Sequence, residues 1–393
     1  MKRLPRTIIA LGVVSLLTDV SSEMIYPLLP AFLAGLGASG AFIGLVDGVA
    51  DTVAALLKLG SGFIADRVQR KKPLVVAGYA LASLVRPLVA LAQAPWHVLV
   101  IRASDRVGKG LRGTPRDALI AQATPVDRRG AAFGFDRAMD HAGAFAGPLL
   151  AFGFLELLHL GQRTVFALAA IPGLIALAVV ITFVREETAA PAPRPRPRED
   201  GAPPAPADAR LPPRFYAYVA CLALFTLGNS SDFFLLLRAQ DGGVRAELAP
   251  LLWALLHAVK SVLSTPLSSL SDRLGRRRVI FFGWAVYAAT YFGFAALSAP
   301  WHVWALFAFY GIFFALTEGT EKALVADLAP AALRGRAFGI YNFTVGVAVL
   351  PASIGFGWIW DRWGHGTAFI VGASLGAAAA VGLAFVPVGA RKL

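Results

Sequence analysis

Charge is scarce in this chain. Only 16% of its 393 residues are Asp, Glu, Lys or Arg, against about a quarter in soluble domains. Hydrophobic residues make up 57%, and the mean hydropathy is +0.63. That balance excludes a soluble enzyme. Cysteine is scarcer still: Cys221 is alone, so no intramolecular disulfide can form and no Cys-rich metal cluster is available. No Gly-Lys-Ser/Thr phosphate loop and no Ser-His-Asp arrangement stands out, which leaves ATP hydrolysis and covalent catalysis without support. No enzyme activity, no metal and no cofactor is expected.

What the chain has instead is apolar length. Stretches of about 20 apolar residues recur from end to end, each long enough to cross the roughly 30 Å of hydrocarbon in a bilayer. In lipid such stretches must be helices, because only a helix satisfies its own backbone polar groups. Twelve spans are predicted, at 7–34, 40–66, 73–93, 96–122, 131–157, 164–184, 214–237, 247–271, 278–298, 301–328, 335–359 and 367–388. The first begins with basic residues and an apolar run like a signal peptide, but Asp19 and Glu23 interrupt it and no small-residue cleavage site follows, so it reads as a retained helix.

The net charge of +13 does not point to nucleic acid. Most of the 37 Lys and Arg fall at span ends or loops of one side, and only Arg163, Arg238, Arg245 and Arg362 lie on the other. This is the positive-inside pattern, and it places both termini in the cytoplasm of a multi-pass plasma (inner) membrane protein. The partners expected are the lipid bilayer, a small-molecule substrate and protons, with the chain a monomer and no nucleic acid bound.

A passage recurs about 205 residues apart. Gly62, Asp66, Arg67 and a basic run at 70–72 are echoed by Asp272, Arg273, Gly275 and a basic run at 276–278, with Ser268 at the first glycine's place and Gln69 at the second's. Ala94-Pro95-Trp96-His97-Val98 returns as Ala299-Pro300-Trp301-His302-Val303, and Arg129-Gly130 through Gly134 as Arg334-Gly335 through Gly339. Parallel repeats of this kind build one large class of transporter. The chain therefore divides into 1–184, an N-terminal six-helix bundle, 185–213, a Pro-, Ala- and Arg-rich flexible cytoplasmic linker, and 214–393, a C-terminal six-helix bundle.

Six helices, a linker, six more helices and a basic loop after the second helix of each half resemble the major facilitator superfamily over essentially the whole chain. The resemblance implies an all-α integral membrane fold of twelve transmembrane helices in two pseudo-symmetric six-helix bundles, working by alternating access around a cavity lined by helices 1, 4, 7 and 10. It also implies that the loops at Asp66 and Asp272 act as a conformational latch, a carboxylate pairing with a nearby Arg; the plainer reading is a topology signal. Gly134, Gly143, Gly147 and Pro148 in the fifth span are similar to the glycine signature of the superfamily's antiporter branch, with Ala151 and Phe152 in place of its last glycine pair. Ordinary close packing is the alternative.

The fourth span holds Arg102, Arg106, Lys109, Arg112 and Arg116 within a sector of about 120°. A basic stripe cannot face lipid, so it should line a watery cavity or form an ion-pair network with neighbouring helices. Its complement is Asp19 and Glu23 in the first span and Asp136 and Asp140 in the fifth, each pair four residues apart on one face. Helix rise places Asp19 level with Lys109, Glu23 with Arg106 and Asp140 with Arg112. A carboxylate that gains and loses a cation is what proton coupling requires; structural salt bridges are the competing view. In the second half Asp232 echoes Glu23, and His257, Lys260, Glu318, Glu321 and Lys322 add weaker signals; His257 reads either as a packing residue or as a proton relay. Proton coupling is thus expected at Asp19, Glu23, Asp136, Asp140 or Asp232, and substrate binding at Arg102, Arg106, Lys109, Arg112, His257, Lys260 and Glu318. The ionic work should concentrate in the first half, since Arg112 aligns with Glu318 and Arg106 falls near Gly311. Proton-coupled export of an anionic or zwitterionic organic solute or drug is the leading expectation. Import of an organic anion or phosphorylated compound by proton symport is the alternative, and a non-transporting membrane enzyme or sensor a remote one.

Overall fold

The computed structural model describes residues 5–68, 70–125, 129–186, 210–330 and 333–387, with the side chains at 59, 61–67 and 129–131 outside that description. The linker expected at 185–213 therefore lies mostly outside the described residues. So do the side chains of Asp66 and Arg67, while Gly62 lies within a helix.

Among the described residues the fold is helical, without a strand. α1 (Arg6–Glu23) gives way to a 3-10 turn at Tyr26–Leu28 and resumes as α2 (Leu29–Gly35). Pro27 and Pro30 bring no backbone N–H to the ladder, so the first span bends there. α3 (Gly40–Arg67) and α4 (Lys72–Val85) follow, the latter extended by a 3-10 segment at Arg86–Leu91. Next come α5 (Pro95–Gln122), α6 (Arg129–Phe152) with a π-turn at Gly153–Leu157, and α7 (Gln162–Leu168) continuing into α8 (Ala170–Phe183). The second half holds α9 (Pro213–Gly228), α10 (Phe233–Asp241), α11 (Ala249–Leu274), α12 (Arg276–Ala295), α13 (Pro300–Leu328) and α14 (Arg334–Phe385). α14 is two helices that meet at Gly364, whose φ/ψ of 84°/162° is non-helical and open to glycine, within the break that sequence reading expects between 359 and 367.

Nine segments of the described residues are long and apolar enough to cross a membrane. α5 and α6, with 28 and 24 residues, are too polar to join that set. Large apolar side chains such as Phe183, Leu157 and Phe385 lie on the outside, as lipid contact requires.

The repeated Ala-Pro-Trp-His turns adopt one geometry. Ala94 and Ala299 are extended (φ/ψ −141°/152° and −146°/147°), and each hands its chain to a proline in the first turn of a helix, where the missing N–H costs nothing. The Trp96–His97 and Trp301–His302 ring pairs match, with centroids 3.9 and 4.0 Å apart and 56° between planes. His97 Nδ1 accepts the Gln93 and Ala94 amides, and His302 Nδ1 sits 3.4 Å from Ser298 Oγ.

Buried apolar side chains gather into three clusters. One draws only on residues 211–386 and is rich in aromatics, among them Trp284, Tyr287, Tyr291 and Tyr310. The second spans residues 20–169 with Phe233 inserted, and the third residues 8–184.

Candidate functional site: a charged cavity beneath a closed end

The two halves meet along α3 and α14, which pass each other antiparallel at backbone distance. A Cβ at Gly44 would collide with the Ser353 carbonyl, one at Gly48 would lie 3.1 Å from the Leu350 Cα, and one at Gly357 would strike the Gly40 carbonyl. Small residues are what permit this approach. Hydrogen bonds between the halves run along the same zone. Thr52 Oγ1 donates to the Gly346 carbonyl at 2.8 Å, Ser231 Oγ to Asp47 at 2.7 Å, and Trp253 Nε1 to Glu23 at 2.8 Å. Arg245 pairs with Glu156 at 2.7 Å, and the Gly40 and Ala41 amides donate to Asp361 at 2.8 and 2.9 Å. Tyr26 packs its ring against Phe233 and Trp253. All of these lie from Thr52 outward, toward the end remote from the basic loops.

On the basic side of Thr52 a cavity of about 600 Å³ opens instead, a size in the range of small-molecule sites. Its walls carry Phe225, Phe313, Phe314 and Tyr341 together with Asp51, Lys58, Lys260, Glu318, Glu321 and Lys322. Lys260 and Glu318 neutralise each other at 2.8 Å, and Lys260 also lies over the Phe314 ring. Glu321 accepts from Trp284 Nε1 and Tyr341 Oη, both at 3.0 Å, so neutral donors hold it. Asp51 and Lys322 make no ion pair among the described residues. The cavity thus offers unpaired groups of both signs beside aromatic faces. Of the expected lining helices, the fourth, seventh and tenth contribute (α5, α9, α13). The first does not, and α3, α11 and α14 take part.

The basic stripe divides. Arg102 is buried and bound to Asp47 at 3.0 Å, over the rings of Tyr26 and Phe233. Arg112 turns away from the cavity onto the Tyr79 ring, 4.4 Å from its centroid. Arg116 bonds Ser15 at 2.6 Å and Asp136 at 2.8 Å, with Asp140 at 3.8 Å. All three thus have partners within the protein: Arg102 in Asp47, Arg112 in the Tyr79 ring and Arg116 in Ser15 and Asp136. Asp140 meets Arg116 and Arg137, not Arg112. Arg106 and Lys109 remain: Arg106 Nε is buried without a partner, and the charges nearest both include Asp51.

The acids divide likewise. Asp136 is held by Arg116 and Ser15, Glu23 by Trp253 rather than Arg106, and Asp232 accepts from Tyr310 Oη at 2.6 Å. The Asp19 carboxylate has no hydrogen bond or ion pair among the described residues; the charges that act on it are Asp140, Lys109, Glu23 and Arg116. Gly143 and Gly147 of α6 seat the two turns of α1 that carry these acids, for a Cβ at Gly147 would lie 2.7 Å from the Val20 carbonyl and 3.0 Å from Glu23 Cβ. Gly134 faces open space, so only part of the glycine series packs, with Pro148 inside the same helix. His257 stands edge-on to Trp253, both ring nitrogens buried and unpartnered.

At the basic end Gly275 takes a φ of 90° between α11 and α12. Asp272 pairs with Arg276 at 3.0 Å, and Arg276 reaches Asp327 of α13 at 2.6 Å. Arg276 makes this bridge, not Arg273, because Arg273 lies within α11 and exposed, while Arg276 starts α12 between its two acids.

Sequence reading missed Asp47, Asp51, Asp361 and Trp253. Asp47 and Asp51 carried a signal, two acids four residues apart in an apolar helix, the same pattern that singled out Asp19 and Glu23. Four of the six charged cavity residues come from the second half, while the buried ion pairs Arg86–Asp105, Arg102–Asp47 and Arg116–Asp136 lie in the first.

The family model described as Major Facilitator Superfamily matches residues 11–352. An uncharacterized MFS-type transporter of Methanocaldococcus jannaschii is 33% identical over 365 residues, covering 91% of this chain and 89% of the relative. Multidrug resistance protein MdtH of Yersinia enterocolitica is 26% identical over 361 residues, 88% of this chain and 85% of its own. The crystal structure of the nucleoside transporter NupG (D323A mutant) superposes with a TM-score of 0.79 at 14% identity, over 96% of this chain and 99% of that one, and so shares its fold. The nine membrane-length helices, the glycine-packed seam and the cavity beneath it fit these matches: the chain is a multi-pass membrane transporter and belongs to the Major Facilitator Superfamily.

Proposed function

We propose that the protein exports an amphipathic, zwitterionic organic solute in exchange for protons. The observation that carries this reading is the cavity, where aromatic faces stand beside an acid, Asp51, and a base, Lys322, neither of which forms an ion pair among the described residues. Its basic-end position suits loading from the cytoplasm, where basic loops are retained. The likeness to a protein named for multidrug resistance supports the outward direction.

The architecture proposed with it has twelve crossings. The nine apolar segments supply ten once α14 is divided at Gly364, and α5 and α6 complete the number. The segregated cores support two bundles, 1–184 and 214–393, joined by 185–213. Both termini then face the cytoplasm of a plasma (inner) membrane, and a monomer suffices.

Asp19 is the coupling residue of this reading. Asp136 and Glu23 are held by fixed partners, whereas the Asp19 carboxylate is acted on by Lys109 without a bond among the described residues, free to exchange a proton as that cation approaches or leaves. Glu23 and Asp232 then act in closing the far end.

The alternative, proton-driven import of an organic anion, rests on Arg106 and Lys109, two cations without a bonded carboxylate among the described residues. Purified protein in liposomes separates the two. Exchange predicts that a zwitterionic solute accumulates in vesicles acidic inside, while accumulation in vesicles alkaline inside sinks the exporter reading. Asp19→Asn should abolish accumulation driven by the gradient yet keep solute counterflow; accumulation by this variant would remove Asp19 from the mechanism.

A further inference from the structure

A second cavity, of about 560 Å³, lies away from the transport cavity, on the outside of the molecule at the basic end. It sits between the start of α1 and the end of α8. Its body is apolar, with Ile9, Val13, Val179 and Phe183, and Arg6 and Arg185 stand at its mouth. Ile9 and Phe183 are 44% and 66% exposed, so the groove opens sideways, where a transporter meets its lipid.

The charge at the mouth is unanswered. Glu186, the neighbouring acid, is occupied elsewhere: its two carboxylate oxygens accept the Lys71 and Lys72 amides at 2.7 and 2.9 Å and cap α4. Neither arginine has an ion pair among the described residues. α1 begins beside them with Pro5 as its N-cap and no side-chain cap, which adds the positive end of a helix dipole. Two guanidinium groups and a helix start above a laterally open apolar groove match a phosphate head with a hydrocarbon chain below it.

We propose that this groove binds an anionic phospholipid of the adjoining leaflet, its phosphate on Arg6 and Arg185 and an acyl chain along Ile9, Val13 and Val179. The lipid would tie the first helix to the last helix of the same half, and neither the transport cavity nor the coupling residue takes part.

The test measures phosphatidylglycerol retained by purified full-length protein, by native mass spectrometry during titration, with phosphatidylcholine as reference. A basic residue at the membrane surface contributes roughly a factor of five in affinity, so Arg6→Gln or Arg185→Gln should each weaken retention about fivefold and the double variant about thirtyfold. Arg362→Gln, an exposed arginine at the other end, should change nothing. Val13→Trp, which fills the groove and keeps both charges, should also release the lipid, and decides the matter should the arginine variants fail to fold. Equal retention by the double variant, or equal retention of phosphatidylcholine, overturns the proposal. Displacement by millimolar inorganic phosphate alone also overturns it, since the site would then take a free anion.

Discussion

Asp361→Ala should open the end that this structure holds shut. Asp361 belongs to the second half, but its two oxygens accept the Gly40 and Ala41 amides at the start of α3 in the first. The chain thus caps a helix across the boundary that alternating access must break. Losing an N-cap costs about 0.5–2 kcal/mol, and losing a negative charge at a helix N-terminus about 0.3–1 kcal/mol more. Asp361 is exposed, which favours the lower part of that sum, about 1–2 kcal/mol. At roughly 1.4 kcal/mol per tenfold, the ratio of closed to open molecules should fall about five- to thirtyfold. Asp361→Asn, which keeps an acceptor but not the charge, should do less. Electron–electron double resonance between spin labels at Gly161 and Asp241, one on each half at that end, reads the shift as a growing long-distance population. An unchanged distribution in the alanine variant would refute the assignment of this cap as a clasp.

Gly44→Ala should be poorly tolerated, because its Cβ meets the Ser353 carbonyl; overpacking of about 1–3 kcal/mol should lower the melting temperature and shift the same label distances outward. Gly355→Ala, on the opposite helix but facing open space, should stay within about 0.5 kcal/mol of the parent. Arg276→Gln should destabilise the second half by up to about 1 kcal/mol, as a partly exposed bridge between α11, α12 and α13 does, while Arg273→Gln should leave the melting temperature unmoved; equal effects would return the latch to Arg273. Gly275→Ala places a side chain at a φ of 90° and should cost about 1–2 kcal/mol, read by thermal unfolding.

Helix positions were legible because membrane-length apolar runs have few alternatives, and α3, α5 and α13 begin within a residue of their expected starts. Partners were not. Arg102, Arg106, Lys109 and Arg112 share one face of one helix, and helical periodicity treats them alike. A side chain's fate depends on which helix stands opposite: Asp47 for Arg102, Tyr79 for Arg112, and no ion-paired acid among the described residues for Arg106. The depth rule could name levels but not partners, because depth along an axis says nothing of rotation about it. Trp253, across the boundary between the halves, took Glu23 instead.

By itself, then, the sequence determined that this chain is a duplicated helical membrane protein with a transporter's layout, since hydropathy, charge bias and repeats are properties of the chain taken in order. Only the tertiary structure decided which charges are bound and which are free, that Asp47, Asp51 and Asp361 matter, and which end is shut. Those outcomes depend on contacts between residues as far apart as Gly40 and Asp361, and no local pattern encodes which distant backbone amide will come near enough to donate a hydrogen bond.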